Sequence, residues 1–319
     1  MMKKIFVFSI LVVLILISSF SLNAAAFSAE HANFSIVYDD FKIPLTTFSI
    51  FVMPGEGIKI SIAEEDRDKQ YVIELNGKSF ENERSFKWQA PAKSGYYPVK
   101  IKEKNKNGSG SEIKLNVFVL HPAHKMNGQY LDGFKIGSYP NIPADKKTYY
   151  SKPTGFLKIE KSLLDLNLTP HFKMNQFVTN QSNKFPQYIV LQESLLLKLE
   201  YFLEEVNKSG YKADTFGIVS IYRSPYFNKK LGNNTDFSRH LFGDAADIYI
   251  DNSGNQWMDD LNRDGKSTIK DSNILFDLAV KFDQKEEFAQ LQGGVCSYKG
   301  NGVRGPFLHI DSRGFHVSW

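Results

Sequence analysis

Short runs in which apolar and polar residues alternate recur from about residue 27 to residue 120 of this chain. Residues 48–53 end at the turn Pro54-Gly55, and residues 57–62 alternate cleanly. Residues 71–75 run into Asn76-Gly77, a hairpin-type turn, and 86–90 precede Pro91. Residues 95–101 lead to a polar turn over 104–111, and 113–120 alternate again. Short strands at regular spacing predict a β-sandwich. Later the period changes. Leu196, Leu199, Leu203 and Val206 fall at three- and four-residue steps before Gly210, which predicts a helix over 192–208. Ile274, Leu275, Leu278 and Phe282 repeat that spacing, while 216–222, 245–250 and 307–311 read as short buried strands.

These runs divide the chain into an all-β sandwich over 27–120, a connecting region over 121–164 and an α+β domain over 165–319. In the sandwich, Trp88-Gln-Ala-Pro with Gly95-Tyr96 resembles an immunoglobulin-like or PKD-like module. The connecting region is rich in Gly, Pro, Tyr and Lys, and is too long for an idle linker, so it is expected to pack on both domains. Its His121 and His124 read as turn residues beside Pro122, with a metal pair as the alternative, and His171 beyond it as a structural side chain, with an approach to the active site as the alternative.

Residues 1–26 add a different kind of segment. Lys3 and Lys4 precede an apolar run over 5–20 and small residues ending in Ala26. That order is a basic region, an apolar region and a cleavage site, and the apolar run is shorter than the roughly 20 residues of a comfortable bilayer span. A secretory signal cut after Ala26 is expected, giving a secreted or periplasmic protein; an uncleaved anchor is the alternative. The net charge is +4 over 319 residues, with two of the positive charges in this leader, which gives no reason to expect nucleic acid. A single cysteine, Cys296, excludes an internal disulfide.

The chemistry concentrates in Ser238-Arg-His-Leu-Phe-Gly-Asp-Ala-Ala-Asp247. His240 and Asp247 are an odd number of positions apart, so one straight strand would point them to opposite faces. A turn must intervene, and Gly243 is its natural place. Phe307-Leu-His-Ile-Asp311 supplies a second imidazole, His309. Two imidazoles and a carboxylate that meet at one point make a three-ligand zinc site with a fourth position open. Ser238 and Asp244 are placed in sequence to orient a ligand imidazole.

This ten-residue motif, with the downstream His-x-Asp and the upstream Ser220-Ile-Tyr-Arg-Ser-Pro-Tyr-Phe-Asn228, resembles the zinc D-alanyl-D-alanine carboxypeptidases and murein endopeptidases, a family that includes the carboxypeptidases of vancomycin resistance. The resemblance covers residues 165–319. It implies a hedgehog/DD-peptidase-like fold, with an antiparallel sheet carrying zinc on His240, Asp247 and His309. It implies hydrolysis of a peptide bond next to a D-residue of peptidoglycan, in a stem peptide or a cross-link; a monomer is expected. Arg223 matches the family arginine that steadies the substrate carbonyl. The family's acidic general base stands three residues before the last His, where this chain has Pro306. Asp311, two residues after His309, is the substitute expected here, and orienting a ligand is its other role. A domain that binds peptidoglycan without cutting it is the competing reading.

Between the helices, Asp260, Asn262, Asp264, Gly265, Lys266, Thr268 and Asp271 occupy positions 1, 3, 5, 6, 7, 9 and 12 of a calcium loop. Structural calcium is expected there, with a solvated acidic turn as the alternative. Cys296 stands where relatives have Gly, and reads as a small half-buried residue, with a fourth metal ligand or reactive thiol as alternatives.

Overall fold

A computed structural model describes residues 27–63, 69–81, 84–104, 110–233 and 235–319; the expected leader, 1–26, lies outside them. Nine strands come first: β1 (His31–Tyr38), β2 (Phe41–Leu45), β3 (Thr47–Val52), β4 (Gly57–Ile62), β5 (Gln70–Leu75), β6 (Lys78–Glu81), β7 (Ser85–Gln89), β8 (Gly95–Lys104) and β9 (Glu112–Val119). They form a four-stranded sheet, β2-β1-β4-β7, and a five-stranded sheet, β3-β9-β8-β5-β6. Alternating residues such as Ile58 and Ile60 turn inward. The sheets meet through aromatic pairs: Phe34 lies 5.0 Å from Tyr71 and Phe80 5.4 Å from Phe86, centroid to centroid. β1, β2 and β6 add to the strands the alternation predicted. β6 is exposed throughout, so it carries no burial pattern to read.

The connecting region folds into short strands and turns. β10 (His121–Pro122) pairs with β13 (Gly155–Ile159), and β11 (Tyr130–Leu131) with β12 (Phe134–Lys135). β14 (Asn167–Thr169) and β15 (Phe172–Lys173) form a further hairpin, and β16 (Gln187–Ile189) completes a three-stranded sheet, β10-β13-β16. The region reaches the second domain through polar contacts. The Tyr139 and Tyr222 hydroxyls are 2.9 Å apart, and Arg239 donates to the Tyr149 carbonyl at 2.7 Å.

The remaining elements are α1 (Glu193–Lys208), β17 (Gly217–Ser220), α2 (Pro225–Lys230), β18 (Ala245–Tyr249), α3 (Ile269–Asp283), β19 (Gly294–Tyr298), β20 (Phe307–Asp311) and β21 (Val317–Ser318). Five of them make one sheet, β17-β18-β20-β19-β21, antiparallel except for the β19–β21 pair. α3 packs on β19 and β20, and α1 on α3. α1 buries Leu195, Leu196, Leu199, Phe202, Leu203 and Val206, each worth about 1.5–3 kcal/mol of apolar burial. It also buries Lys198, Glu200 and Glu204, which its apolar spacing does not foretell. Each has a partner from elsewhere: Lys198 pairs with Asp283 at 2.8 Å, Glu200 with His171 at 2.7 Å and Glu204 with His31 at 2.7 Å. With strand at 35% and helix at 21%, the molecule is mostly β in several small sheets. Among the described residues no helix is long and apolar enough to cross a membrane.

The sandwich is seated on the second half by its edge strand β3. Ser49 Oγ donates to the Leu168 carbonyl at 2.8 Å, and the Phe51 N–H donates to Glu193 Oε1 at 2.8 Å. An open edge is a hazard for aggregation, and here α1 supplies an acceptor for it. Burial pushes the Glu193 carboxyl up to about 7, against the pull of the Phe51 N–H. A carboxyl raised above its ordinary 4.5 favours folding fully below that value, and the contribution is lost as the pH rises through about 7. Urea unfolding of Glu193→Gln should therefore gain on the native chain between pH 5 and pH 8. A difference between the two that stays constant with pH would show that Glu193 titrates normally.

Candidate metal centre

His240 sits in a single 3-10 turn, Arg239–Leu241, that begins at Ser238. The chain then reverses at Gly243, whose φ is +76°. A Cβ there would lie 2.5 Å from the Val190 carbonyl carbon, so both the backbone angle and the close approach require glycine. β18 follows and carries Asp247, whose cross-strand partner on β20 is His309. Sheet register alone thus makes Asp247 and His309 neighbours, and the Gly243 turn brings His240 to them. The three side chains are buried, and their ligand atoms lie within 4.8 Å of one another.

The back of each imidazole decides which nitrogen faces inward. His240 Nδ1 is 2.5 Å from the Ile221 carbonyl oxygen, which can only accept, so Nδ1 carries the hydrogen. Its Nε2 lone pair then faces Asp247 Oδ1 at 3.2 Å. His309 Nε2 meets Asp311 Oδ2 at 3.4 Å, and Nδ1 points to the same Asp247 oxygen at 2.9 Å. Two ring nitrogens and one carboxylate oxygen therefore converge. Lone pairs aimed at a carboxylate repel unless a cation or proton lies between them, and three N/O donors with outer partners fixing the rings could hold a metal ion. Burial holds His240 below its ordinary pKa, in the neutral form that a ligand needs. Burial also opposes charge on His309, but Asp247 and Asp311 outweigh it and raise its pKa. Asp247 resists the effect of its burial through the two imidazoles, and stays well below the usual carboxylate range.

Asp311 does not stand where a base acting on solvent would. It lies behind His309, fully buried, and both carboxylate oxygens are engaged. Arg313 Nε donates to Oδ1 at 2.8 Å, and the Gly294 N–H donates to Oδ1 at 2.7 Å. Although burial opposes its charge, His309 and Arg313 hold it far below the usual carboxylate range. Its place is that of an orienting group, the second of the two roles expected for it. Lys198 Nζ donates to the Asp311 carbonyl at 2.9 Å and anchors the end of β20 from α1. Gly293, just before β19, and Gly294, its first residue, make room for Asp311: a Cβ on Gly294 would lie 2.4 Å from its Oδ2.

The other expected residues fall as follows. Arg223 donates to Asp247 Oδ2 at 2.9 Å and to Ser220 Oγ at 2.9 Å, so it braces a ligand carboxylate as well as bordering the cavity. Neither Ser238 nor Asp244 holds His240; a backbone carbonyl does, and Asp244 pairs with Arg239. Cys296 is the cross-strand neighbour of His309 but does not join the ligand group among the described residues. In the expected calcium loop, Asp260 accepts from the Asp264 and Gly265 N–H groups at 3.1 and 2.6 Å. Asp264 accepts from Lys266 N–H at 3.1 Å, and Asn262 from Asp264 N–H at 2.9 Å. Asp271 is fully buried, accepting from Leu261 and Asn262 and forming a capping box with Thr268 at the start of α3. Among the described residues these carboxylates do not draw together as a three-residue metal group.

The His–Asp–His group opens on a cavity of about 940 Å³. Arg239, Arg304, Arg313, Tyr298 and Trp319 line it, and none was singled out from the sequence. Arg239 stands inside the ten-residue motif, beside His240, and Arg313 two residues after Asp311. Asp247 is the sole side-chain carboxylate among the lining residues.

No family model matches the chain, and no curated protein matches it. Among solved structures, it is similar to a quinonprotein alcohol dehydrogenase-like protein of Bacteroides thetaiotaomicron, at 19% identity and a TM-score of 0.22, over 28% of this chain and 21% of that one. It is also similar to fibronectin(III)-like modules of Clostridium thermocellum CbhA, at 14% identity and a TM-score of 0.18, over 23% of this chain and 87% of that one. The chain thus spans about a fifth of the first of these.

Purified protein supplied with zinc should bind one ion per chain, and His240→Ala should bind none. Asp311→Asn should weaken metal binding by about 10- to 100-fold, the usual effect of losing an outer partner. Chelator competition measures both, and unchanged affinity in either variant would contradict the ligand arrangement.

Proposed function

We propose that the chain is a zinc-dependent peptidase of the peptidoglycan-cutting kind, hydrolysing a peptide bond next to a D-residue in a stem peptide or cross-link. The observation that carries this is the buried meeting of His240, Asp247 and His309 at the floor of an open cavity. The motif resemblance supplies the substrate class. A divalent ion held by these residues would polarise an amide carbonyl and acidify water.

The protein's own groups have separable tasks. Ile221 and Asp311 fix the two imidazoles, so little reorganisation is needed on binding. Arg223 uses Nε and one terminal nitrogen to brace Ser220 and Asp247. Its remaining donors are available to a carbonyl oxygen as charge develops on it, a role suited to a permanently charged planar group. The reading goes with export, which residues 1–26 predict.

One observation favours a second reading. Among the described residues no side-chain carboxylate lines the cavity apart from Asp247, so no other acidic side chain there can carry a proton from water to the leaving amine. A domain of this build could hold peptidoglycan peptides without cutting them. Muropeptides incubated with the zinc-loaded protein should yield fragments with a new amine and a new carboxyl end by mass spectrometry, and a chelator should abolish them. Retention of sacculi with no fragments at any metal loading would replace the peptidase with the binder.

A further inference from the structure

The cavity's charges do not balance. Four arginines line it, and three have aspartate partners: Arg223 with Asp247, Arg239 with Asp244 and Arg313 with Asp311. Arg304 has no side-chain carboxylate partner among the described residues, and the cavity lining offers it none beyond Asp247, which Arg223 and the two imidazoles already occupy. A cation left over beside a site that also gathers a metal ion favours an anion in that space.

Arg304 is exposed to solvent, and one aromatic ring touches its guanidinium. Its guanidinium carbon lies 4.8 Å from the centroid of the Phe307 ring, and Phe307 stacks on Tyr298 at 4.9 Å with the planes 9° apart. Its backbone is closed into a tight turn. Asn301 Oδ1 accepts from the Val303 and Arg304 N–H groups at 2.9 and 3.1 Å, and the Asn301 N–H donates to the Arg304 carbonyl at 2.8 Å. Gly305 then packs against Trp257, where a Cβ would lie 3.0 Å from the indole. Stacking and turn together lower the ordering cost of using this side chain, the condition under which one arginine contributes usefully to affinity.

We infer that Arg304 is a specificity-determining residue that binds a free carboxylate of the peptide substrate close to the bond at the metal centre. Phe307 and His309 are two positions apart on one strand face, roughly 7 Å, so the carboxylate lies within about two or three extended residues of that bond. It belongs either to the peptide's C-terminus or to an acidic side chain; the chemistry is the same, a planar anion taking parallel hydrogen bonds from a guanidinium. The inference rests on the peptidase or peptide-binding reading above, and names what that site selects.

Calorimetry on the zinc-loaded full chain separates the sources. Three forms of one pentapeptide ending in D-alanyl-D-alanine and carrying one acidic side chain are compared: both carboxylates free, the C-terminus amidated, and the side chain amidated. One of the two amidations should weaken binding at least about tenfold, the scale of a charge-assisted contact. Arg304→Gln should bind all three forms with the affinity of that weakened form, while its zinc affinity stays unchanged. Equal binding of all three forms by the native chain, a difference that persists in Arg304→Gln, or no binding of any form would each overturn the inference. Hydrolysis followed on the same peptides keeps the two ideas apart: cutting that ignores both amidations sinks the carboxylate pocket and leaves the peptidase standing.

Discussion

The second half of this molecule depends on one shared oxygen. Asp247 Oδ1 is approached by a nitrogen from each of two imidazoles, in a buried place where bare repulsion would not be tolerated. Nearly every neighbouring feature serves that approach. The β18–β20 register supplies two of the groups, the Gly243 reversal brings the third, and the Ile221 carbonyl and Asp311 turn the rings. Behind Asp311 stands the Lys198–Asp283 pair, both side chains fully buried. Buried pairs of this kind contribute little to stability over an apolar replacement, while breaking one costs about 3–5 kcal/mol. Its position, bonded to the backbone of the strand that carries His309, suits a device that fixes geometry.

Much of this could be read from the chain because it rests on periodicity and on residue type. The alternation of 57–62 and 113–120 survives as β4 and β9, and the Leu196–Leu199–Leu203 spacing as the buried face of α1. His240, Asp247 and His309 were visible because few residue types ligate metals, and because a glycine stood where a reversal was needed. The partner of His240 was not visible, since a backbone carbonyl leaves no mark on sequence. Asp311 was visible as a carboxylate but not as a buried one; two residues along a strand says which face it shares, not what lies around it. The calcium spacing was legible too, yet the same residues can serve as turn and cap acceptors, as Asp271 does for Thr268 and α3.

The cavity shows the other limit of sequence. Its arginines come from residues as far apart as 223 and 313, and only folding reveals which of them already have aspartate partners. Among its described residues the sandwich adds none to the cavity lining. It is nonetheless fixed to α1 through β3, Glu193 and the His31–Glu204 pair, so the two halves share hydrogen bonds as well as apolar contact.

X-ray absorption at the metal edge of the zinc-loaded protein tests the central claim most directly. The account predicts two imidazole nitrogens at about 2.0–2.1 Å with the rest of the shell oxygen. A sulfur ligand at about 2.3 Å, or a shell without histidine scattering, would show that the ion is held elsewhere and that the three converging side chains are not its site.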